Sequence, residues 1–209
     1  MSTIQAVCLG HPIRLGERAQ RTGIDKRPVE GPVVLSAEGL AGDSVCNRKV
    51  HGGPDQAVYG FGSVDLDAWS LALGKSVPPG LLGENLVISG IDSRDVAVGD
   101  RFETDTVMLE VTATRMPCST LSLRMGDPHF ARRFLELGQP GFYCRVLRPG
   151  AIQAGDSVRF TRFEGERVLM GEMLTAKVKA LSPEAVQRWR STPLSARVAA
   201  DLDRAHPRA

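Results

Sequence analysis

Between residues 106 and 114 the chain reads TVMLEVTAT, which sets Val107, Leu109, Val111 and Ala113 on one face of an extended segment. Strict period-two alternation over this length fits a strand with one buried face and does not fit a helix. Two turns echo each other on either side of it. VAVGDRF (residues 96–102) and IQAGDSV (residues 152–158) each place a Gly-Asp pair between apolar positions, as antiparallel strands do where they enter a barrel or sandwich. Further strands are predicted over residues 3–9, 31–36, 56–61, 81–90 (a turn and a strand), 141–147 and 157–163.

Helices punctuate this β pattern. Residues 63–73 carry Leu66, Trp69, Leu71 and Leu73 after a capping Ser63 or an acidic first turn and stop at Gly74. Asp127-Pro128 opens a second helix, with Phe130, Phe134, Leu135 and Leu137 as its apolar face and Gly138 as its end. After Phe163 the texture turns helical, with Ser182-Pro183 and Thr192-Pro193 as helix starts. The expected division is a β domain over residues 1–163 and a helical C-terminal segment over 164–209, which either packs on the first domain or mediates self-association. Trp189 and Leu194 in that segment point to a homodimer.

Composition narrows the function. A net charge of +2 and 5% aromatic content exclude the basic, base-stacking surface of a nucleic-acid binder. No apolar run reaches the roughly 20 residues of a membrane span, and the N-terminus lacks the pattern of a signal peptide, so a cytoplasmic protein is expected. The four cysteines, Cys8, Cys46, Cys118 and Cys144, form no C-x-x-C pair and no zinc or iron–sulfur spacing.

Chemistry concentrates in two stretches. The first is GDSVCNRKVHGGPDQAV (residues 42–58), where Gly52, Gly53 and Pro54 force a turn flanked by Arg48, Lys49 and His51. Outward-facing backbone N–H groups beside cations favour an anion; the alternative is a solvated loop. The second is TRMPCSTL (residues 114–121), where Cys118 leaves the best strand with Arg115 nearby to favour its thiolate. An inert loop cysteine is the alternative. Cys8 and Cys144 lie within strands, where packing is the default.

Taken together, GLAGDSVCNRKVHGGPDQAV, LLGENLVISGI, VAVGDRFE and RMPCSTL, in that order, resemble the MOSC domain, the C-terminal domain type of molybdenum-cofactor sulfurases. Within that family the chain is similar to the stand-alone bacterial YiiM-like branch, associated with resistance to hydroxylated purine analogues. The likeness extends upstream through GIDKRPVEGPV (residues 23–33) and covers about three quarters of the chain. It implies a mainly β, α+β fold: a closed antiparallel MOSC-type barrel with a few peripheral helices and a small helical appendage.

The resemblance also implies a pocket for the molybdenum cofactor, a pterin dithiolene with a terminal phosphate. Cys118 is then the molybdenum ligand or a persulfide carrier, both of which need a soft ionised sulfur. His51, Gly52, Gly53, Pro54 and Asp55 form the turn that meets the cofactor, and Lys26, Lys49, Asn85 and Arg115 fall on positions that bind phosphate or pterin edges. His51 is read either as a structural histidine or as a catalytic proton relay. Asp43 is read as a turn residue, Glu84 and Asp55 as orienting acids, and Cys46 has no place in the family pattern.

The chain shows no pyridoxal-phosphate domain, membrane anchor or ferredoxin module, so electrons are expected from a separate flavin- or iron–sulfur-type reductase. The expected activity is reduction of small N-hydroxylated compounds of the hydroxylaminopurine type. The alternative is a cofactor carrier or a persulfide sulfur-transfer protein without redox turnover. A third, weak reading is a pyridoxal-phosphate Schiff base at Lys26 or Lys49.

Overall fold

The computed structural model describes residues 2–16, 20–47 and 52–208. In chain order the first half contains strands β1 (Ser2–Gly10), β2 (Ile13–Arg14), β3 (Arg21–Thr22), β4 (Lys26–Pro28), β5 (Val33–Ser36), β6 (Gly39–Leu40) and β7 (Val58–Gly62), helix α1 (Ser63–Leu73) and strand β8 (Leu86–Ile88). Next come β9 (Arg101–Glu103), β10 (Met108–Thr114), α2 (Ser119–Met125), α3 (Phe130–Leu137), β11 (Phe142–Arg148), β12 (Gly150–Ile152) and β13 (Ser157–Thr161). Helices α4 (Met170–Thr175), α5 (Pro183–Arg190) and α6 (Ala196–Ala205) complete the chain.

The strand order β13-β9-β10-β11-β7-β8-β1 returns on itself, because Ser2 and Thr3 of β1 pair with Val158 and Ser157 of β13. The result is a closed seven-stranded barrel, with β4 added on the outer edge of β1. The expected barrel is present, with one departure from an all-antiparallel sheet. β7 and β8 run parallel, because α1 carries the chain between them as a crossover that a tight turn cannot supply.

Two buried clusters hold the molecule together. One gathers Val7, Leu86, Ile88, Val98, Val111 and Phe142, and stacks Phe102 against Phe142 at 4.9 Å and Phe160 at 5.0 Å. Val168, Met170, Met173, Val186, Trp189 and Leu202 from the C-terminal segment belong to the same cluster. Trp189 is therefore packed within its own chain and donates to Glu172 Oε1, so it presents no surface to a second copy. In the other cluster, Trp69 of α1 lies 5.1 Å from Phe130 and 5.4 Å from Phe134 of α3.

The C-terminal segment also explains why β10 is buried on both faces although its sequence alternates. Ser195 N donates to the Thr112 carbonyl, and Arg145 spans from Glu110 to the carbonyls of Pro193 and Leu194. Some local expectations change. Thr192-Pro193 starts no helix: Thr192 Oγ1 closes the end of α5 on the Trp189 carbonyl, and Ser195 caps α6 by accepting from Val198 N. Leu135 turns to solvent, leaving Phe130 and Phe134 as the buried face of α3. Among the described residues no helix is long and apolar enough to cross a membrane.

Helix α1 is capped by Gly62 rather than Ser63. Asp65 reaches back to Gly62 N at 2.8 Å and also accepts from Ser93 N and Ser93 Oγ, both at 2.9 Å. Burial drives the Asp65 carboxyl up from 3.8 to about 7, with those hydrogen bonds opposing the rise. A folded-state pKa above the unfolded one favours the protonated native state. Stability from this group is therefore fully present below pH 3.8 and is lost as pH rises through about 7. Urea unfolding across that window will show a declining contribution, at most about 1.4 kcal/mol per pH unit, and Asp65→Asn, which cannot ionise, will flatten the slope while lowering stability at acid pH, where the wild-type carboxyl is protonated.

Candidate functional site

A cleft opens beside β7, bounded by the β2–β3 hairpin, residues 43–47, Gly52, residues 56–59 and the segment after β10. Its empty volume is about 970 Å3, open mouth included. Gly52, Lys26, Asn85, Arg115 and Cys118 all line it, so five of the residues singled out in the sequence meet in one place. His51 and Lys49 lie outside the described residues. Gly53 is exposed and is not part of the lining, and Asp55 turns elsewhere: its carboxylate pairs with Arg145 at 3.0 Å and accepts from Ala196 N at 2.7 Å, tying the turn to the C-terminal segment.

Gly52 has φ 78°, and a Cβ there would stand 3.0 Å from Val45 Cγ1, so the turn needs glycine on both counts. On the inner wall Asp43 does what the sequence did not suggest. Its two oxygens each receive Lys26 Nζ at 2.5 Å, Oδ1 accepts from Gly10 N at 2.7 Å, and Oδ2 accepts from Asn85 Nδ2 at 2.9 Å. Asn85 in turn accepts from Tyr59 N through Oδ1 and donates to the Cys8 carbonyl. Asn85 is thus spent inside the protein, and the Lys26 charge is matched by Asp43. Burial pushes the Lys26 ammonium below its ordinary pKa, and Asp43 pulls it back.

Arg115 is 6% exposed, and its guanidinium lies 4.6 Å over the Tyr59 ring. Tyr59 packs against Tyr143, centroid to centroid 5.0 Å, because the two stand directly opposite in the β7–β11 register. Burial works against the Arg115 cation, but Tyr59, Tyr143, Cys118 and Glu84 around it raise its proton affinity overall. Glu84 is held by Gly80 N at 2.5 Å and Leu82 N at 3.1 Å, so it braces the loop before β8 rather than a lysine or histidine. Arg115 Nε has no hydrogen-bond partner among the described residues.

Cys118 is half-buried at the start of α2, where its carbonyl accepts from Leu121 N and Ser122 N. Exposed Cys46 lines the same cleft. The other two thiols are inert packing groups: burial pushes Cys8 up to about 12 and raises Cys144 as well.

Three lining residues are not marked as such by the sequence. Asp43 is masked by its likeness to Gly99-Asp100, yet Asp100 too is a buried anchor, paired with Arg167 at 2.8 Å. Tyr59 and Tyr143 are the chain's two tyrosines, and each falls in a predicted strand, which was the available signal. The Asp43 cluster generates a stability test. Lys26→Met alone strands a buried carboxylate and will cost about 3–5 kcal/mol in chemical denaturation, whereas Lys26→Met with Asp43→Leu will cost less than the sum of the single changes.

Known proteins resemble the chain at both levels. It is 32% identical over 156 residues to YflK of Bacillus subtilis, covering 73% of this chain and 70% of that protein. It is 33% identical over 145 residues to a protein named "Reductase" from Gibberella moniliformis, covering 66% of this chain but only 25% of that longer protein. The fold superposes on the crystal structure of YiiM from Geobacillus stearothermophilus with a TM-score of 0.80 at 24% identity, covering 98% of this chain and 99% of the other. The MOSC domain family matches residues 47–159, from the rim of the cleft through the barrel to β13, and the chain belongs to that family.

Proposed function

We propose that the cleft holds the molybdenum cofactor and that the chain reduces N-hydroxylated compounds of the hydroxylaminopurine type, in the cytoplasm, with electrons from a separate reductase. The observation that carries this reading is one cleft that joins the Cys118 thiol, the buried Arg115 cation and the Tyr59–Tyr143 pair beside a glycine turn. Those groups fit the cofactor. A thiolate suits a soft metal, a flat aromatic wall suits a pterin, and the unpartnered Arg115 Nε is a donor in want of an acceptor. Membership of the MOSC family and the reductase-named relative support the same reading.

In this proposal Cys118 is the metal ligand, and Arg115 and Gly52 hold the pterin edge. Lys26 and Asn85 shape the wall through Asp43 instead of reaching the phosphate. That charge falls to Arg21 at the mouth and, by sequence, to Lys49. Bound there, the cofactor would supply two-electron redox chemistry. The protein's part is to orient substrate against the aromatic wall, to exclude water behind Tyr59, and to deliver protons, a role that falls by sequence to His51. The second thiol at the mouth, Cys46, favours a second reading in which Cys118 carries sulfur as a persulfide.

Cys118→Ser, loaded in a cofactor-producing host, will lose most of its molybdenum and nearly all hydroxylamine reduction. Unchanged values in both would remove Cys118 from the site. Mass spectrometry after incubation with a cysteine desulfurase separates the second reading, which requires a persulfide on Cys118 of the wild-type chain.

A further inference from the structure

The rim of the cleft carries a concentration of charge that the wall does not use. Arg21 of β3 lines the cleft with Arg14 of β2 opposite it, Arg27 of β4 is 80% exposed next to the wall residue Lys26, and Arg124 belongs to α2, whose Thr120 also lines the cleft. One aspartate, Asp25, meets Arg27 at 3.4 Å and Arg124 at 2.5 Å. Four arginines and one aspartate leave this described rim at +3, while the whole chain carries +2, so the rest of the molecule is slightly acidic. Apolar surface lies within the same region. Met116 is 55% and Leu123 39% exposed, and Leu123 adjoins the hairpin turn, 3.9 Å from where a Cβ on Gly16 would sit.

We infer that this rim is the docking surface for an acidic, flavin-bearing electron-transfer protein. The inference rests on the proposed reductase reading and names the partner that reading needs. Reduction of R–NH–OH breaks the N–O bond and takes up two electrons and two protons to give R–NH2 and water. The reduced flavin of the partner is the donor and leaves oxidised. Cys118 and Arg21 both line the cleft, so electrons arrive across its mouth, and a partner must face Arg21 and Arg14, which stands opposite it in the β2–β3 pairing, with Arg27 next to the wall residue Lys26. Cations around a small apolar centre steer an acidic protein into brief, salt-sensitive encounters. A small weak interface of this kind allows the turnover that electron transfer requires.

The test uses the full chain loaded with cofactor, and a reduced flavodoxin, a small acidic flavoprotein, as the probe. Reoxidation of the probe in the presence of a hydroxylamine substrate will slow steeply with added salt, and Arg14→Glu with Arg27→Glu will lower the second-order rate constant roughly tenfold at low salt. Dithionite, a small donor, will drive both proteins equally. Arg159→Glu with Arg162→Glu, on and just beyond β13 near the opposite end of β1, will leave the probe rate unchanged. A probe rate indifferent to salt and to the rim reversal overturns the surface, as does rim-dependent binding of duplex DNA or anionic vesicles in place of the probe. Should dithionite drive no reduction in the loaded wild type, the reductase reading fails. The surface is then judged by probe binding in fluorescence titration, where salt-sensitive binding lost in the rim variant supports it and absence of binding overturns it.

Discussion

A single buried carboxylate organises the inner wall of the cleft. Asp43 receives Lys26 from β4, Gly10 from the end of β1 and Asn85 from the lead into β8, so three separated stretches converge on two oxygens. None of these groups is well solvated, and each would be costly to leave unpaired. The cluster therefore acts as a fixed point for the loop that carries Val45 and Cys46 to the mouth. Asn85 extends the bracing to Tyr59 N, so the aromatic wall is set by the same contacts.

Charge inside the site is largely balanced before any ligand arrives. Lys26 faces Asp43, and Arg115 shares its surroundings with Glu84. What the wall then offers is directional: an N–H of Arg115 without a partner among the described residues, a half-buried thiol and a π face. Such a wall selects by shape and by bonding geometry, and long-range attraction is left to the arginines of the rim. The two jobs fall on different residues, so a change in one need not disturb the other.

Much of this was legible in the sequence because local rules and packing agree. The alternation of β10, the α1 stop at Gly74 and the Ser182-Pro183 start all depend on neighbours a few residues away. The gathering of Lys26, Gly52, Asn85, Arg115 and Cys118 followed from family motifs, whereas their roles did not. Whether a lysine greets a ligand or a buried aspartate depends on residues far apart in the chain, and Gly-Asp reads the same in a surface turn and at a buried anchor. Thr192-Pro193 failed as a helix start for a similar reason: the preceding helix claimed the threonine hydroxyl first.

Closure of the barrel through Ser2 and Val158 carries a consequence for biosynthesis. β1 must wait for β13, the last barrel strand in chain order, and β10 is covered on its polar face only once Ser195 has been added. A nascent chain leaving the ribosome therefore carries β1 with one edge incompletely paired until β13 emerges, a template for wrong pairing in a crowded cell. Such non-local pairing also makes folding slow relative to a helical protein of equal size. The early availability of β4, which pairs with β1 within the first thirty residues, gives that strand an escort while it waits.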